Sequence, residues 1–365
     1  MAKRLGSLDY LRALGVVLVV FYHGAKSNGR ILGPLSGSGW FGVELFFVLS
    51  GFLVTRSLLG SQVGALAFYR KRAWRVLPAY WVTLLLAVVM AFGIGAFDPI
   101  VPKQMIRYLP LHLVFLQNYG GVHPVGNLWS LAVEEHVWIL LPLVAPWLAR
   151  AKGRLNPVLM FLVLVGLPML VRGLTLALHP GAVGGVPTMN SAFGMKIYAP
   201  THAHLDGLAL GVWIALYWGE LREGVSPRGL MVLAISGAFL VVAVALWTWP
   251  WRTFAPRPYA MALGQFTLIA VGFGAILVGT MGLDGGKPAP PAVRWVSERI
   301  YSLYLVQGPL MLFFNPLAWA AATLSGVMQW GVLLVYLAAT VALGAALYHW
   351  VERPGLVRGG WKLEA

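Results

Sequence analysis

Apolar residues run along the chain in long blocks, and short segments rich in Gly, Pro and charge separate them. A helix needs about 20 consecutive apolar residues to cross the hydrocarbon core of a bilayer. By that measure the blocks predict transmembrane helices at about 7–25, 39–59, 78–97, 128–149, 155–178, 198–219, 229–248, 259–281, 298–322 and 327–350. A shorter apolar piece near about 108–119 predicts a re-entrant or interfacial segment. Backbone groups in lipid must be satisfied inside their own element, so a spanning chain of this pattern is helical. The expected fold class is therefore all-α, a polytopic integral membrane protein of about ten transmembrane helices. The first block is not a removable signal peptide, because Arg12 lies within its apolar run and a second span follows at once.

Composition agrees. Only 11% of the 365 residues are charged and the mean hydropathy is +0.76, whereas a soluble domain carries about 25% charged residues. The net charge of +15 would suggest nucleic acid for a soluble chain. Here the basic residues sit in short connections beside the spans, where they set topology in the lipid bilayer. Signatures of groove or single-strand binding are absent, so nucleic acid is not an expected partner. With the N-terminus in the cytoplasm, the inner connections hold more than twice as many of the 27 Lys and Arg as the outer ones. Arg172 counts among the outer charges. An even number of spans then places both termini in the cytoplasm, for a multi-pass protein of the cell (plasma or inner) membrane. Residues 1–352 read as one transmembrane domain and 353–365 as a short cytoplasmic tail. The segment 179–197, with Pro180, Gly181, Gly184, Gly185 and Pro187, reads as an outer loop. The chain has no Cys, which excludes disulfides, thiolate metal sites and a cysteine acyl-enzyme.

Ionisable groups at membrane depth are costly and mark functional sites or pairs. Arg12 and His23 are 11 positions apart on one predicted helix, about three turns and about 16 Å of rise, so they share a face. Histidine suits a general base; arginine suits phosphate or carboxylate. Either that pair is a site, or Arg12 snorkels or pairs with Asp9 and His23 makes a polar contact near the outer interface. Glu44, in the second span, needs a partner. It can orient His23 as a carboxylate orients a catalytic imidazole, or form a structural pair with an arginine. The stretch from Leu66 to Pro78, with Arg70, Arg72 and Arg75, reads as a short interfacial helix. It can bind a polyanionic donor or contact lipid phosphates and fix topology. The fourth span opens with Trp129 and carries Glu134, Glu135 and His136; adjacent helical residues diverge by about 100°, so one acid can face a cavity while the other pairs elsewhere. His202, His204 and Asp206 do not have helical ligand spacing, so no metal is expected there. Asp206 reads as a supporting acid, and Gly207 and Gly211 as a small-residue packing face.

These segments together resemble the family-3 membrane O-acyltransferases. The resemblance rests on Leu8-Asp9-Tyr-Leu-Arg12, the Arg12-x10-His23 spacing, Gly42-Val-Glu44-Leu-Phe-Phe-Val-Leu-Ser-Gly-Phe and Phe68-Tyr-Arg-Lys-Arg72-Ala-Trp-Arg75-Val-Leu-Pro78. It continues through Trp129-Ser-Leu-Ala-Val-Glu134-Glu135, Asp206-Gly-Leu-Ala-Leu-Gly211, Ser302-Leu-Tyr304-Leu and Glu352-Arg-Pro354. Each motif is weak by itself, and the ordered set along nearly the whole chain is specific. The resemblance implies a ten-helix core and transfer of an acyl group, commonly acetyl, from acyl-CoA to a hydroxyl on a glycan, glycolipid or glycoside. It points to Arg12 and His23 as the essential pair. On that basis His23, Glu44 and Arg12 are the expected catalytic residues, and Arg12, Arg70, Arg72 and Arg75 the expected donor-binding residues. Trp129, Glu134, Glu135, His202 and Asp206 are the expected substrate or supporting residues. Acyl-CoA enters as a co-substrate, with no tightly bound cofactor. The chain departs from the family pattern at Gln307, where a histidine is common, and at His204, where an arginine is common. Many relatives carry a C-terminal esterase-like domain; this chain ends at Ala365 and is expected to act alone or to pass its product on. A transporter or flippase is the rival reading. It predicts interrupted helices at matched positions of two related halves, and the sequence has no such halves.

Overall fold

The computed structural model describes residues 5–27, 37–60, 64–95, 100–120, 125–183, 191–248, 258–322 and 326–361. Lys3, Arg4, Arg30, Arg252, Arg257 and Lys362 of the topology count, and Gly184, Gly185 and Pro187 of the expected outer loop, lie outside them. The described residues are helical, with no strand among them. Among the described residues, seven helices are long and apolar enough to cross a membrane, and the chain is a multi-pass membrane protein.

The chain forms two units. The first joins Met1–Gly15, Phe41–Gln62 and Trp129–Arg294. It holds the start of α1 (Gly6–Ser27), then α2 (Phe41–Gly60), α5 (Trp129–Lys152) and α6 (Pro157–Leu178). It continues with α7 (Asp206–Leu216), α8 (Trp218–Gly224), α9 (Pro227–Thr248) and α10 (Tyr259–Gly282). The second joins Val16–Trp40, Val63–Leu128 and Trp295–Ala365. It holds the rest of α1, α3 (Ala65–Ile94) and α4 (Ile100–Leu113). Its later elements are α12 (Ile300–Leu305), α13 (Gln307–Ala322), α14 (Gly326–Leu347) and α15 (Arg353–Arg358), with α11 (Pro291–Glu298) at the boundary of the two units.

In the first unit, helices meet through missing side chains. A Cβ at Gly51 would stand 2.2 Å from Leu208 O, and one at Gly211 2.3 Å from Val48 O. The α2 and α7 backbones are therefore in direct contact, which is how helices in lipid gain packing without a hydrophobic drive. Between α9 and α10, Gly237 and Gly279 do the same against Gly272 O and Leu230 O.

Four stretches differ from the sequence expectation. The expected span 198–219 is a regular helix only over Asp206–Leu216, because Pro200 takes an extended backbone and has no N–H to continue a helix. A π-type turn (Gly194–Tyr198) and a 3-10 turn (Thr201–Ala203) fill the approach. The expected span 298–322 breaks at Val306 into α12 and α13. The expected interfacial helix and the third span are one 30-residue helix, α3, with Pro78 inside it. Pro78 removes the bond to Trp74 O, and Gly355 covers that carbonyl so closely that a Cβ there would lie 2.6 Å from it. Finally, within the expected short tail, Arg353–Arg358 form a helix. Gly355 and Leu356 are buried, and Trp361 donates its indole N–H to Lys71 O at 3.3 Å.

Candidate functional site

In the second unit, α1 carries His23. Its Nδ1 lies 2.7 Å from Oε1 of Gln307, a fully buried residue at the first position of α13. The Gln307 amide N–H donates to Leu303 O at 2.9 Å. A reciprocal clamp precedes it: Asn127 donates from Nδ2 to Tyr304 O at 3.2 Å, and the Tyr304 hydroxyl donates to Asn127 O. Gly308 makes this approach possible, since a Cβ there would lie 2.4 Å from Asn127 Oδ1. Gly24 likewise lets Leu333 and Tyr336 of α14 lie directly against α1.

The same unit gathers a basic and aromatic cluster. Lys71 Nζ sits 4.3 Å and the Arg75 guanidinium 5.0 Å from the centre of the Trp361 ring. Arg358 packs over Trp74, and Arg299 over both Trp295 and Tyr348. Buried Glu352 accepts a 2.5 Å hydrogen bond from Ser302 Oγ, with Arg75 and Arg299 close enough to act on its charge. Of the other arginines expected to bind a donor, Arg72 is half-buried and Arg70 exposed.

The first unit holds two buried polar clusters. Glu44 is wholly buried, and its Oε1 lies 2.5 Å from His204 Nε2. On the other side of that ring, Nδ1 is 2.6 Å from Tyr198 O. A carbonyl only accepts, so Nδ1 carries a hydrogen, and one further proton lies between Nε2 and Oε1. Whichever atom holds it, the pair is neutral overall, which is how a carboxyl is kept in an apolar interior. Trp129 stacks on the imidazole at 5.2 Å, and Phe47, Tyr198 and Phe266 enclose it.

The second cluster is centred on Arg172, whose side chain is fully buried. It donates to Asp206 Oδ2 at 2.6 Å and Oδ1 at 2.9 Å, to Leu263 O and Ala203 O, each at 2.9 Å, and to Thr267 Oγ1 at 2.9 Å. The Thr267 hydroxyl in turn donates to Asp206. This ties α6, α7 and α10 together.

The residues expected from the sequence take these places. Glu44, expected to orient His23, meets His204 through Oε1, and His23 meets Gln307 through Nδ1. His202 is exposed, and His204 takes the buried place. The signal was present in the sequence: His204 stands where the family often has an arginine, and a buried Glu44 requires a cationic or proton-sharing partner. Arg172, counted as an outer topology charge, is an interior residue whose partner is Asp206. Sequence reasoning missed Arg172, Thr267, Asn127 and Tyr304 as members of these networks. The remaining residues are placed as follows. Glu134 accepts from Ser50 at 3.2 Å, Glu135 is half-buried beside it, and His136 Nδ1 meets Thr201 Oγ1 at 2.6 Å. Arg12 lies 3.9 Å from Asp9, one turn away on α1. The unbroken α1 keeps Arg12 and His23 on one helix face, about 16 Å apart along the axis.

Comparison with known proteins gives these networks a context. A family model for the acyltransferase domain matches residues 5–349. Peptidoglycan O-acetyltransferase OatA of Listeria monocytogenes is 25% identical over 96% of this chain and 56% of its own length. O-acetyltransferase OatA of Staphylococcus aureus is 25% identical over 96% and 57%. A putative peptidoglycan O-acetyltransferase, YrhL of Bacillus subtilis, is 25% identical over 96% and 55%. The chain thus spans a little over half the length of these curated relatives. No solved structure matches it. On the family match, which runs over nearly the whole sequence, this chain belongs to the family-3 acyltransferases.

Proposed function

We propose that this protein is a membrane O-acyltransferase that moves an acyl group, acetyl in the first instance, from acyl-CoA to a hydroxyl of a sugar, glycolipid or glycosylated small molecule. The observation that carries the reading is His23: an imidazole on an otherwise apolar helix segment, hydrogen-bonded to a buried amide, in a chain of acyltransferase ancestry. The relatives' named activity, peptidoglycan O-acetylation, supports an acetyl group and a cell-wall glycan acceptor.

In this reading the acceptor O–H gives its proton to His23 as its oxygen attacks the thioester carbonyl carbon. The C–S bond then breaks, the departing thiolate takes the proton from the imidazolium, and an ester and free CoA leave. An acyl-histidine intermediate is the variant of the same chemistry in which Nε2 itself attacks. Arg70, Arg72 and Arg75 meet the donor's phosphates, and Arg12, three turns from His23, meets the donor along α1. Proton transfer supplies about 10²–10⁴-fold, and alignment of hydroxyl and thioester supplies the rest. The basic inner connections support a plasma-membrane protein with cytoplasmic termini. The test is acceptor-dependent release of CoA from acetyl-CoA in detergent. Wild type releases it and folded His23→Ala does not; equal release by both would refute the role of His23.

A further inference from the structure

Gln307 is more than a neighbour of His23. Its amide is read without ambiguity from its two partners. A backbone carbonyl only accepts, so the group facing Leu303 O at 2.9 Å is the NH2. The group facing His23 is then the amide oxygen, at 2.7 Å from Nδ1. An amide oxygen also only accepts, so Nδ1 must carry a hydrogen. In a neutral imidazole this leaves the lone pair on Nε2.

We infer that Gln307 is a positioning residue that holds His23 in its Nδ1–H tautomer, so that Nε2 is the atom that takes the acceptor's proton. The inference rests on the reading of His23 as the base. It assigns to a neutral amide the task that a carboxylate performs in the serine-hydrolase triad, fixing ring and tautomer through the far nitrogen. The surroundings are built to keep that amide in place. Gln307 is fully buried. It sits immediately after the helix break at Val306, and the Asn127–Tyr304 clamp holds the turn before it. Gly308 lies so close to Asn127 and Val125 that a Cβ would be 2.4 Å from each. The segment therefore has one seating, and that seating points Oε1 at His23.

The test uses the full chain in detergent with 15N-labelled histidine. His23 is assigned by comparison with His23→Ala, at a pH where the ring is neutral. The expected wild-type spectrum has Nδ1 protonated and Nε2 bare. Gln307→Met, an apolar side chain of similar length, should lose that signature, and its kcat should fall at least about tenfold while the donor KM stays unchanged. Gln307→Glu, which keeps an acceptor at the same reach, should retain the Nδ1–H signature. A wild-type Nε2–H tautomer beside an inactive His23→Ala would overturn the inference alone. Full activity of His23→Ala would overturn the reading of the base and the role of Gln307 with it. Gln307→Met with wild-type kcat and an unchanged spectrum would reduce Gln307 to a packing residue.

Discussion

Arg172 and Asp206 give the sharpest quantitative expectation for the fold. Both side chains are fully buried, and the arginine makes five hydrogen bonds, two to Asp206, one to Thr267 and two to backbone carbonyls. Arg172→Ala would leave a buried carboxylate with only Thr267 to meet it, and would strip two carbonyls of a donor. Removing one partner of a buried pair costs about 3–5 kcal/mol, whereas replacing both partners by well-packed apolar residues costs far less. The expected pattern is therefore non-additive. Arg172→Met and Asp206→Leu should each lower the melting temperature strongly, and the double variant should recover most of the loss. Detergent-solubilised protein followed by tryptophan fluorescence on heating measures this. If Arg172→Met melts with wild type, or if the two losses simply add, the pair does not stabilise the first unit in the way described.

Three further outcomes are expected. Gly211→Ala places a Cβ 2.3 Å from Val48 O and 2.6 Å from Phe52 N, so it should force α2 and α7 apart and destabilise by about 1–3 kcal/mol. Gly219→Ala, with nothing within 4 Å of the new Cβ, should melt as wild type. Arg75→Ala should raise the KM for acyl-CoA about tenfold, about 1.4 kcal/mol of binding, with kcat preserved; initial rates against donor concentration check it, and an unchanged KM would remove Arg75 from the donor site.

The helical, membrane-spanning character was legible in the sequence, because about 20 apolar residues in a row have few other uses. Helix interruptions were less so. Pro200 was visible, and so was the Gly308-Pro309 pair just after the break at Val306, whereas the fusion of the interfacial helix into α3 runs through Pro78, which reads as a start signal. Small-residue contact was legible at Gly207 and Gly211, because glycines four apart line one helix face. Polar partnerships were not. Glu44 could be seen to need a partner, yet linear spacing says nothing about which of several histidines lies across from it, so His23 was expected where His204 stands. Arg172 was misplaced because a charge near a helix end looks the same in sequence whether it snorkels to water or turns inward to an acid on another helix. Gln307 stood out only as a departure from a family pattern; its hydrogen bonds to His23 and Leu303 depend on packing that no local pattern encodes.

The central claim is tested most directly by following the acyl group itself. Purified protein is given acetyl-CoA carrying a labelled acetyl group together with glycan strands, and the strands are analysed by mass before and after mild alkali. Labelled, alkali-labile ester is expected on the strands with wild type and none with His23→Ala of the same fold. Labelled ester formed equally by both proteins would contradict the assignment of His23. Labelled ester with neither protein, across sugar acceptors and acyl-CoA donors that the wild type demonstrably binds, would contradict the transferase reading.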